Sequence, residues 1–171
     1  MSLGFRLSEY ISPDGSEELL AVFLQRKGNP HDIVFGSGSG PRLHHAAFGI
    51  PECYHFFYVC DLAAEMGFAA NVEYGPGRHG PGHALFVYLR DPDGHRVEIY
   101  TSDYYTGDPG HPVLRWDVSD PRRRSFYGHA VVPSWYAEAS TVLDLDGRPR
   151  PVSDQHQILE YSVGADGFPV R

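Results

Sequence analysis

Histidines are frequent in this chain, and several stand beside residues with which they could do chemistry. The 171 residues include ten histidines, among them His31 next to Asp32 and the adjacent pair His44 and His45. An imidazole accepts and returns a proton near neutral pH, and it also binds metal ions. From the sequence alone, His31 is equally readable as a solvent-facing loop histidine, and His45 as a structural histidine in a strand. These residues favour a polar site without fixing its chemistry.

A glutamate in an apolar run adds a second candidate. Glu98 lies in a segment typical of a β-strand, directly after a turn-forming sequence. If residues 91–95 form the loop of a hairpin, Tyr88 faces Glu98 and Arg90 faces Arg96. Tyr88 and Glu98 then share one face of the sheet. That face is either solvated or lines a polar pocket, and side-chain alternation does not choose between the two.

Composition excludes several classes of function. The formal net charge is -8, from 22 acidic against 14 basic residues, and residues 122–124 form the one basic run. Nucleic acid is therefore not an expected partner. Cys53 and Cys60 are spaced for one helix face and suggest no disulfide framework, so a reducing, cytoplasmic setting is expected. No apolar run approaches the roughly 18 residues of a spanning helix, and no signal peptide is recognised, which predicts a soluble protein without membrane association.

The first forty residues look like part of a unit. A strand is predicted directly after Gly4, and residues 5–24 form a hairpin around the turn at 13–16. Residues 28–42 contain so many glycines and prolines that we expect a loop, with no more than a short turn over 32–35. His31 belongs to this loop. We therefore expect the chain to start in the middle of a folding unit.

The next sixty residues predict a β-α-β-β-β unit. A strand over 42–49 leads into a helix that starts at Pro51, has an apolar stripe including Phe56 and Phe57, and ends at Gly67. Glycines and prolines then predict a rigid loop between two of the remaining strands. The remaining elements are a strand over 70–74, the rigid loop over 75–82, and strands over 83–90 and 96–100.

This order and several motifs resemble the vicinal oxygen chelate superfamily. Within it, the chain is similar to the type I extradiol dioxygenases that cleave homoprotocatechuate (3,4-dihydroxyphenylacetate). The segments that carry the superfamily resemblance are 40–48, 75–80 and 91–100, and those that carry the narrower one are 103–109, 116–118, 131–136 and 143–147. The resemblance covers most of residues 4–152.

The resemblance implies an α+β fold of paired βαβββ modules. Residues 1–40 would be the last strands and loop of an incomplete first module, and residues 41–102 a complete second module. Residues 103–171 would be an irregular C-terminal extension that packs over the site. This extension argues against a compact glyoxalase-like enzyme, which lacks it.

The resemblance also implies a metal site. The family holds Fe(II), or in some members Mn(II), through two histidines and one glutamate, which leaves open positions for a catechol and O2. His45 matches the second histidine and Glu98 the glutamate. The first histidine is expected upstream of Gly4, so two of three ligands are present. We expect either a truncated chain or a site completed by His31, His44 or a water molecule.

Further site residues follow from the same resemblance. His31 matches the acid/base of the family, His79 a histidine on the substrate side, and Tyr88 a tyrosine near the ring oxygens. The residues that match substrate-binding positions are Phe23, Tyr74, Arg123 and Arg124. Phe23 is otherwise a core residue, and the two arginines otherwise form a solvated patch. Tyr74 stands where the homoprotocatechuate enzymes carry a basic residue, which leaves the acidic group of the substrate less assured.

The implied function is ring cleavage in aromatic catabolism. A catechol, such as a dihydroxyphenyl acid, would bind the metal through both oxygens and react with O2 to give a muconic semialdehyde. A homotetramer is implied as well. Two alternatives stay open from the sequence: a metal-dependent lyase or isomerase of the same superfamily, and a non-catalytic remnant that binds a small molecule.

Overall fold

The computed structural model describes residues 3–108 and 110–153, together with the backbone of 162–163 and 169–170. The predicted chain start at residues 1 and 2 and much of the predicted extension beyond 153 lie outside the described residues. Two four-stranded sheets and few helices make up the described part, which confirms the α+β class. No helix among these residues is both long and apolar enough to span a membrane.

The first sheet consists of β1 (Arg6–Ser12), β2 (Ala21–Gln25), β3 (Ile33–Gly36) and β9 (Leu114–Asp117). These strands lie side by side in the order β3-β2-β1-β9. The predicted hairpin is present, and its two strands pair antiparallel. A parallel strand from much later in the chain joins the free edge of β1 and completes the sheet.

Strand β3 corrects the sequence analysis, which predicted only a turn over 32–35. Ile33 pairs with Leu24 and Phe35 with Val22, so this segment is a regular edge strand. Its β-branched and aromatic residues suit a strand, and the edge of β2 supplies its hydrogen-bond partners. The glycines and prolines on either side of it concealed that pattern.

The second sheet and helix α1 (Tyr54–Glu65) form the predicted βαβββ unit. Its strands are β5 (Ala46–Gly49), β6 (Val72–Arg78), β7 (Leu85–Arg90) and β8 (Arg96–Thr101), which lie side by side in the order β5-β8-β7-β6. Strand β5 runs parallel to β8, and the other neighbours pair antiparallel. The predicted register is confirmed, since Tyr88 pairs with Glu98 and Arg90 with Arg96.

Three details of this unit differ from prediction. The strand predicted over 42–49 is divided into β4 (Arg42–Leu43) and β5. The reason is that β4 pairs with β10 (Ser140–Thr141) and does not belong to the second sheet. Strand β6 continues through the first half of the predicted rigid loop, with register shifts on the way. Helix α1 buries Phe56 but leaves Phe57 63% exposed, so its predicted apolar stripe is mostly uncovered.

Gly75 explains why a strand passes through a segment that looked like a loop. Its φ is +101°, and a Cβ atom there would lie 2.8 Å from the carbonyl oxygen of Phe86 on the neighbouring strand. A residue without a side chain is therefore needed for β6 to bend and still pair with β7. The resulting bulged strand brings Tyr74 and His79 to the same end of the sheet as the predicted site.

The C-terminal segment packs on the second sheet. Tyr74, Phe86, Tyr88 and Val131 form the buried apolar cluster, and Trp135 of the short helix α2 (Pro133–Ala137) packs against it with its neighbours. The beginning of α2 is set by Pro133, whose fixed φ suits the first helical turn. The polar groups of the predicted site lie against this cluster.

Candidate metal centre

Glu98 is the centre of the polar site. It lies on β8 with only 6% of its surface exposed, and it faces Tyr88 across the ladder. The Nε2 atom of His45 is 3.1 Å from Oε2 of Glu98, and Nε2 of His79 is 3.4 Å from Oε1. The hydroxyl of Tyr88 lies 3.0 Å from the same nitrogen of His79. Three predicted site residues therefore surround the predicted glutamate.

The protonation of Glu98 is governed by these imidazoles. Burial acts to raise the pKa of its carboxyl group, but hydrogen bonds from His45 and His79 hold that pKa well below the usual range. Within the described residues, both ion-pair partners of Glu98 are imidazoles. A buried carboxylate with no guanidinium or ammonium partner is suited to a bound metal ion.

The interruption of the strand between β4 and β5 places His45 beside Glu98. Ala46 pairs with Val97 and Ala47 with Glu98 in the parallel ladder, so the residue before β5 reaches the end of β8. The predicted strand over 42–49 would have contained both His44 and His45. They lie instead in the break, with their rings in contact at 4.8 Å between centroids.

A hydrogen-bond relay fixes the orientation of the His45 ring. Nε2 of His44 lies 2.6 Å from the carbonyl oxygen of Trp135, which can only accept, so this nitrogen donates. Burial, followed by the neighbouring His45, lowers the pKa of His44 to about 4, which keeps it neutral at pH 7. Its Nδ1 then accepts from Nδ1 of His45 at 2.5 Å. Nε2 of His45 is thereby directed at Glu98.

This arrangement fits a divalent metal in chemistry, though with few donors. The lone pair of an Nε2 nitrogen and a carboxylate oxygen face each other at 3.1 Å, and a cation, either a proton or a metal, must lie between them. Imidazole and carboxylate together suit non-haem iron or manganese. Among the described residues, no group of three or more His, Cys, Asp or Glu side chains could hold a metal ion. In the described part of the chain, Nε2 of His45 and Oε2 of Glu98 are thus two facing atoms whose chemistry suits a metal ion.

His79 is fixed by both of its nitrogens. Nδ1 lies 3.2 Å from the carbonyl oxygen of Arg124, which only accepts. Its Nε2 lies 3.0 Å from the Tyr88 hydroxyl and 3.4 Å from Oε1 of Glu98. The ring also stacks on Phe86, with 3.8 Å between centroids. Burial, with the Glu98 carboxylate nearby, raises the pKa of Tyr88 far above its ordinary value, so this phenol is a hydrogen-bond donor.

His31 lies at the first sheet and is held mainly by packing. Its ring meets the edge of Phe23, with 5.3 Å between centroids, and Gly82 lies against its other side. Its Nδ1 is shielded from solvent and has no hydrogen-bond partner in the described residues. Burial lowers the pKa of His31, while the charges of Glu98 and Glu9 oppose that shift. The ring is therefore neutral at pH 7 and available to accept a proton.

The predicted substrate-binding residues are in different places. Phe23 borders His31, as just described. Tyr74 stacks parallel to Tyr88 at 6.0 Å, and burial raises its pKa to about 12. The guanidinium of Arg124 lies 5.5 Å from the centre of the Tyr136 ring, beside the apolar cluster. Nε of Arg123 donates to the carbonyl of Val118, which directs part of that side chain toward the end of β9.

Two residues near the site were not assigned roles from the sequence. Trp135 packs edge-on against both His44 and Tyr88, at 4.5 and 6.0 Å, and so covers these two residues from the C-terminal segment. Glu9 is a fully buried acid on β1. Its signal in the sequence is the same as that of Glu98, an acidic residue within an apolar strand, but nothing in the sequence pointed to its partners.

Comparison with known proteins places this geometry in a family. Residues 2–99 match the Glyoxalase/Bleomycin resistance protein/Dioxygenase superfamily. A manganese-dependent 2,3-dihydroxybiphenyl 1,2-dioxygenase from Geobacillus genomosp. 3 is 30% identical over 119 residues, which are 67% of this chain and 37% of that protein.

Solved structures resemble the chain over most of its length. A variant of homoprotocatechuate 2,3-dioxygenase from B. fuscum superposes with a TM-score of 0.89 and 46% identity, covering 96% of this chain and 46% of that one. The same enzyme from Brevibacterium fuscum, in an anaerobic complex with 3,4-dihydroxyphenylacetate, gives a TM-score of 0.85 and 48% identity over 88% of this chain and 47% of that one. The chain thus spans less than half the length of these relatives. It belongs to the Glyoxalase/Bleomycin resistance protein/Dioxygenase superfamily.

Proposed function

We propose that this chain carries the ring-cleavage site of an extradiol dioxygenase. The observation that carries the proposal is the convergence of His45, His79 and Tyr88 on the buried carboxylate of Glu98. Such a group of imidazole, carboxylate and phenol on one sheet face combines metal donors with hydrogen-bonding groups for a substrate. The similarity to homoprotocatechuate 2,3-dioxygenases, at 46% identity over nearly the whole chain, supports this reading.

His45 and Glu98 would hold the metal, with Fe(II) preferred and Mn(II) possible in the proposal. One relative is named as manganese-dependent, and the donor set suits either ion. When bound, the metal would bring a catechol and O2 together and supply electron transfer between them. The Trp135 carbonyl, acting through His44, keeps Nε2 of His45 aimed at this position.

The surrounding residues would handle the protons and the orientation of the substrate. His31, neutral at pH 7, would accept a proton from a catechol hydroxyl and return it as the ring opens. Tyr88 and His79 would orient the catechol oxygens through hydrogen bonds. Phe23 would border the ring and help to exclude water. In the overall reaction both oxygen atoms of O2 enter the product, a muconic semialdehyde.

The substrate is proposed to be a catechol with an acidic side chain, such as homoprotocatechuate. Arg123 and Arg124 would supply positive charge for the carboxylate, with Arg124 beside the apolar cluster. Tyr74 contributes a buried hydroxyl that has no hydrogen-bond partner within the described residues, although a neutral group there favours an anion less than a basic residue would.

The wider organisation is part of the same proposal. Residues 1–40 and 41–102 would be a partial and a complete module, and 103–171 an extension over the site. A homotetramer and a cytoplasmic location remain predictions from the resemblance. Because the chain spans less than half of its relatives, the activity of the whole protein is proposed and not assigned.

The test uses the purified chain, loaded anaerobically with Fe(II) or with Mn(II). Bound metal is quantified, homoprotocatechuate or unsubstituted catechol is added, and O2 is admitted while the yellow semialdehyde is followed by absorbance. We expect metal-dependent product from the dihydroxyphenyl acid. The Glu98→Gln variant is the matched control, since it has nearly the same shape without the charge. Bound metal without product from any catechol would contradict catalysis and favour the small-molecule-binding remnant.

A further inference from the structure

Strand β1 buries two consecutive polar residues, which regular alternation forbids. Leu7 pairs with Leu24 and Glu9 with Phe23, so Ser8 is an extra residue opposite no partner. This is a β-bulge, and it turns the side chains of Ser8 and Glu9 both inward, where they are 4% and 0% exposed. Bulges are frequent beside active sites because they redirect side chains.

Glu9 is bound by three segments that are distant in sequence. Its Oε1 accepts from the backbone N–H of Gly82 at 2.7 Å and from the hydroxyl of Tyr104. Its Oε2 accepts from Nε1 of Trp116 at 2.6 Å. All three donors are uncharged, so the buried acid is compensated entirely by hydrogen bonds from fixed groups. Such a carboxylate holds several segments in one arrangement.

Ser8 fixes the other side of the same region. Its hydroxyl lies within hydrogen-bond distance of the carbonyl oxygens of Phe23, at 3.0 Å, and of Pro30. Pro30 directly precedes His31, and Phe23 is the ring against which His31 packs. Ser8 therefore contacts the strand and the loop that place His31. Glu9 contacts the turn at Gly82, which lies on the other side of the His31 ring.

The turn at Gly82 is in direct contact with the His31 ring. Gly82 has a φ of +69°, and a Cβ atom there would lie 3.2 Å from Cε1 of His31 and 3.5 Å from Nδ1. His31 has no hydrogen bond at Nδ1 that could correct a displacement. Because the ring is located by contacts with Phe23 and Gly82, a shift of either contact moves it.

We propose that the Ser8–Glu9 bulge is the positioning element of His31, with Glu9 as a positioning residue that sets the ring through the Gly82 turn. This inference rests on the proposed function of His31 as the acid/base. Glu9 does not touch substrate or metal in this scheme. Its effect on the reaction passes through the His31 ring, whose location it sets.

The main test compares Glu9→Gln with Ser12→Ala. Ser12 is a matched control, since it lies on the same strand, is 0% exposed, and hydrogen-bonds to a backbone carbonyl, but at the end away from His31. With the metal-loaded chain, Glu9→Gln should lower kcat by about 10²-fold with KM nearly unchanged, because a small misplacement of a reacting group costs that much. Ser12→Ala should keep the wild-type kcat even if it unfolds more easily. Tyr104→Phe, which removes one donor only, should give a smaller loss.

A double-mutant cycle separates positioning from general damage. If Glu9 acts through His31, the variant His31→Asn and the double variant with Glu9→Gln should have the same residual kcat. A further loss in the double variant would show that Glu9 acts on the fold or on another group, and would overturn the proposal.

A readout without catalysis keeps the inference separate from the proposed function. The 15N spectrum of histidine-labelled, metal-free protein reports the ring environment, with the His31 signals assigned by His31→Asn. Glu9→Gln should shift those signals, and Ser12→Ala should leave them in place. If the wild type forms no product but the signals shift as expected, the proposed function fails and the positioning stands. Unshifted His31 signals in a folded Glu9→Gln protein would overturn the positioning, whatever the activity.

Discussion

Two buried carboxylates on the second sheet, Glu73 and Glu98, have opposite kinds of partner. Glu73 is 6% exposed in its side chain and forms paired hydrogen bonds with both Arg90 and Arg96, at 2.6 to 3.0 Å. Arg96 lies only two residues before Glu98 on β8. Glu98, just as buried, is contacted by imidazoles instead of guanidinium groups.

The difference separates a structural ion pair from a site. A guanidinium group does not lose its proton in proteins, so the charge of Glu73 is permanently compensated and its network joins β6, β7, β8 and α2. Neutral imidazoles can present a lone pair to a metal, so the charge of Glu98 remains available for a cation. The type of base beside a buried acid therefore indicates which of the two acids has its charge free to bind a cation.

The largest expected effect comes from neutralising the available charge. Glu98→Gln should reduce metal affinity by more than the roughly 10–100-fold that follows loss of an outer hydrogen-bond partner, and should abolish ring cleavage. Isothermal titration with Mn(II) measures the affinity. The matched change is Glu73→Gln, which should leave metal affinity unchanged in the folded protein. Equal losses in the two variants would remove the distinction between the two acids.

Breaking the permanent pair should instead affect folding. Arg96→Met leaves Glu73 with less compensation in a buried position, and we expect the free energy of unfolding to fall by roughly 3–5 kcal/mol. Urea denaturation of the metal-free protein measures this change. Arg122→Met is the control, because Arg122 forms an exposed pair with Asp120, and its unfolding should match that of the wild type. Equal stability of the two variants would contradict a structural role for the Glu73 network.

The same network predicts an acid dependence of stability. Burial acts to raise the pKa of Glu73, but hydrogen bonds from Arg96, Arg90 and Ser134 hold that pKa at about 2, below the usual glutamate value of 4.5. A depressed folded-state pKa contributes stability above the unfolded pKa, and this contribution, about 3 kcal/mol, is lost as the pH falls from about 4.5 to about 2.

Unfolding free energies measured between pH 2 and 7 test this dependence. Glu73→Gln should be less stable than wild type at pH 7, with the gap narrowing as the pH falls through that window. A gap that stays constant with pH would mean that folding does not lower the pKa of Glu73.

The smallest expected effect concerns the relay behind the ligand. His44→Phe keeps a ring against Trp135 but removes both nitrogens, so His45 loses the partner that fixes its Nδ1. Metal affinity should drop by about 10–100-fold. The half-buried His55, changed to Phe, serves as the control and should not alter affinity. Unchanged binding in His44→Phe would show that His45 needs no such orientation.

The sequence predicted the second sheet better than the first. The hairpin register around Tyr88 and Glu98 followed from side-chain alternation alone, because a strong turn at 91–94 sets the pairing. Strand β3, although it pairs with the nearby β2, was concealed by the glycines and prolines around it. The division at His44 did not follow, since it depends on β10, which lies much later in the chain. Local patterns cannot reveal such partners.

The site divides in the same way. His45, Glu98, His79 and Tyr88 could be named from a resemblance, and the structure brings them together. The contacts that tune them could not be foreseen, because the Trp135 carbonyl and the Arg124 carbonyl are backbone atoms whose direction depends on the fold of the C-terminal segment. Whether each residue performs its assigned role stays a prediction that the experiments above address.

The parallel pairing of β1 with β9 has a consequence for how the chain is made. Glu9 and Trp116 are 107 residues apart in sequence, yet they lie on neighbouring strands. At a synthesis rate of about 5–20 residues per second, β1 leaves the ribosome roughly 5–20 s before β9 exists. Throughout that interval the edge of β1 that β9 will occupy is open to pairing with other nascent chains. We therefore expect the yield of folded protein to rise when expression is slow and chaperones are abundant.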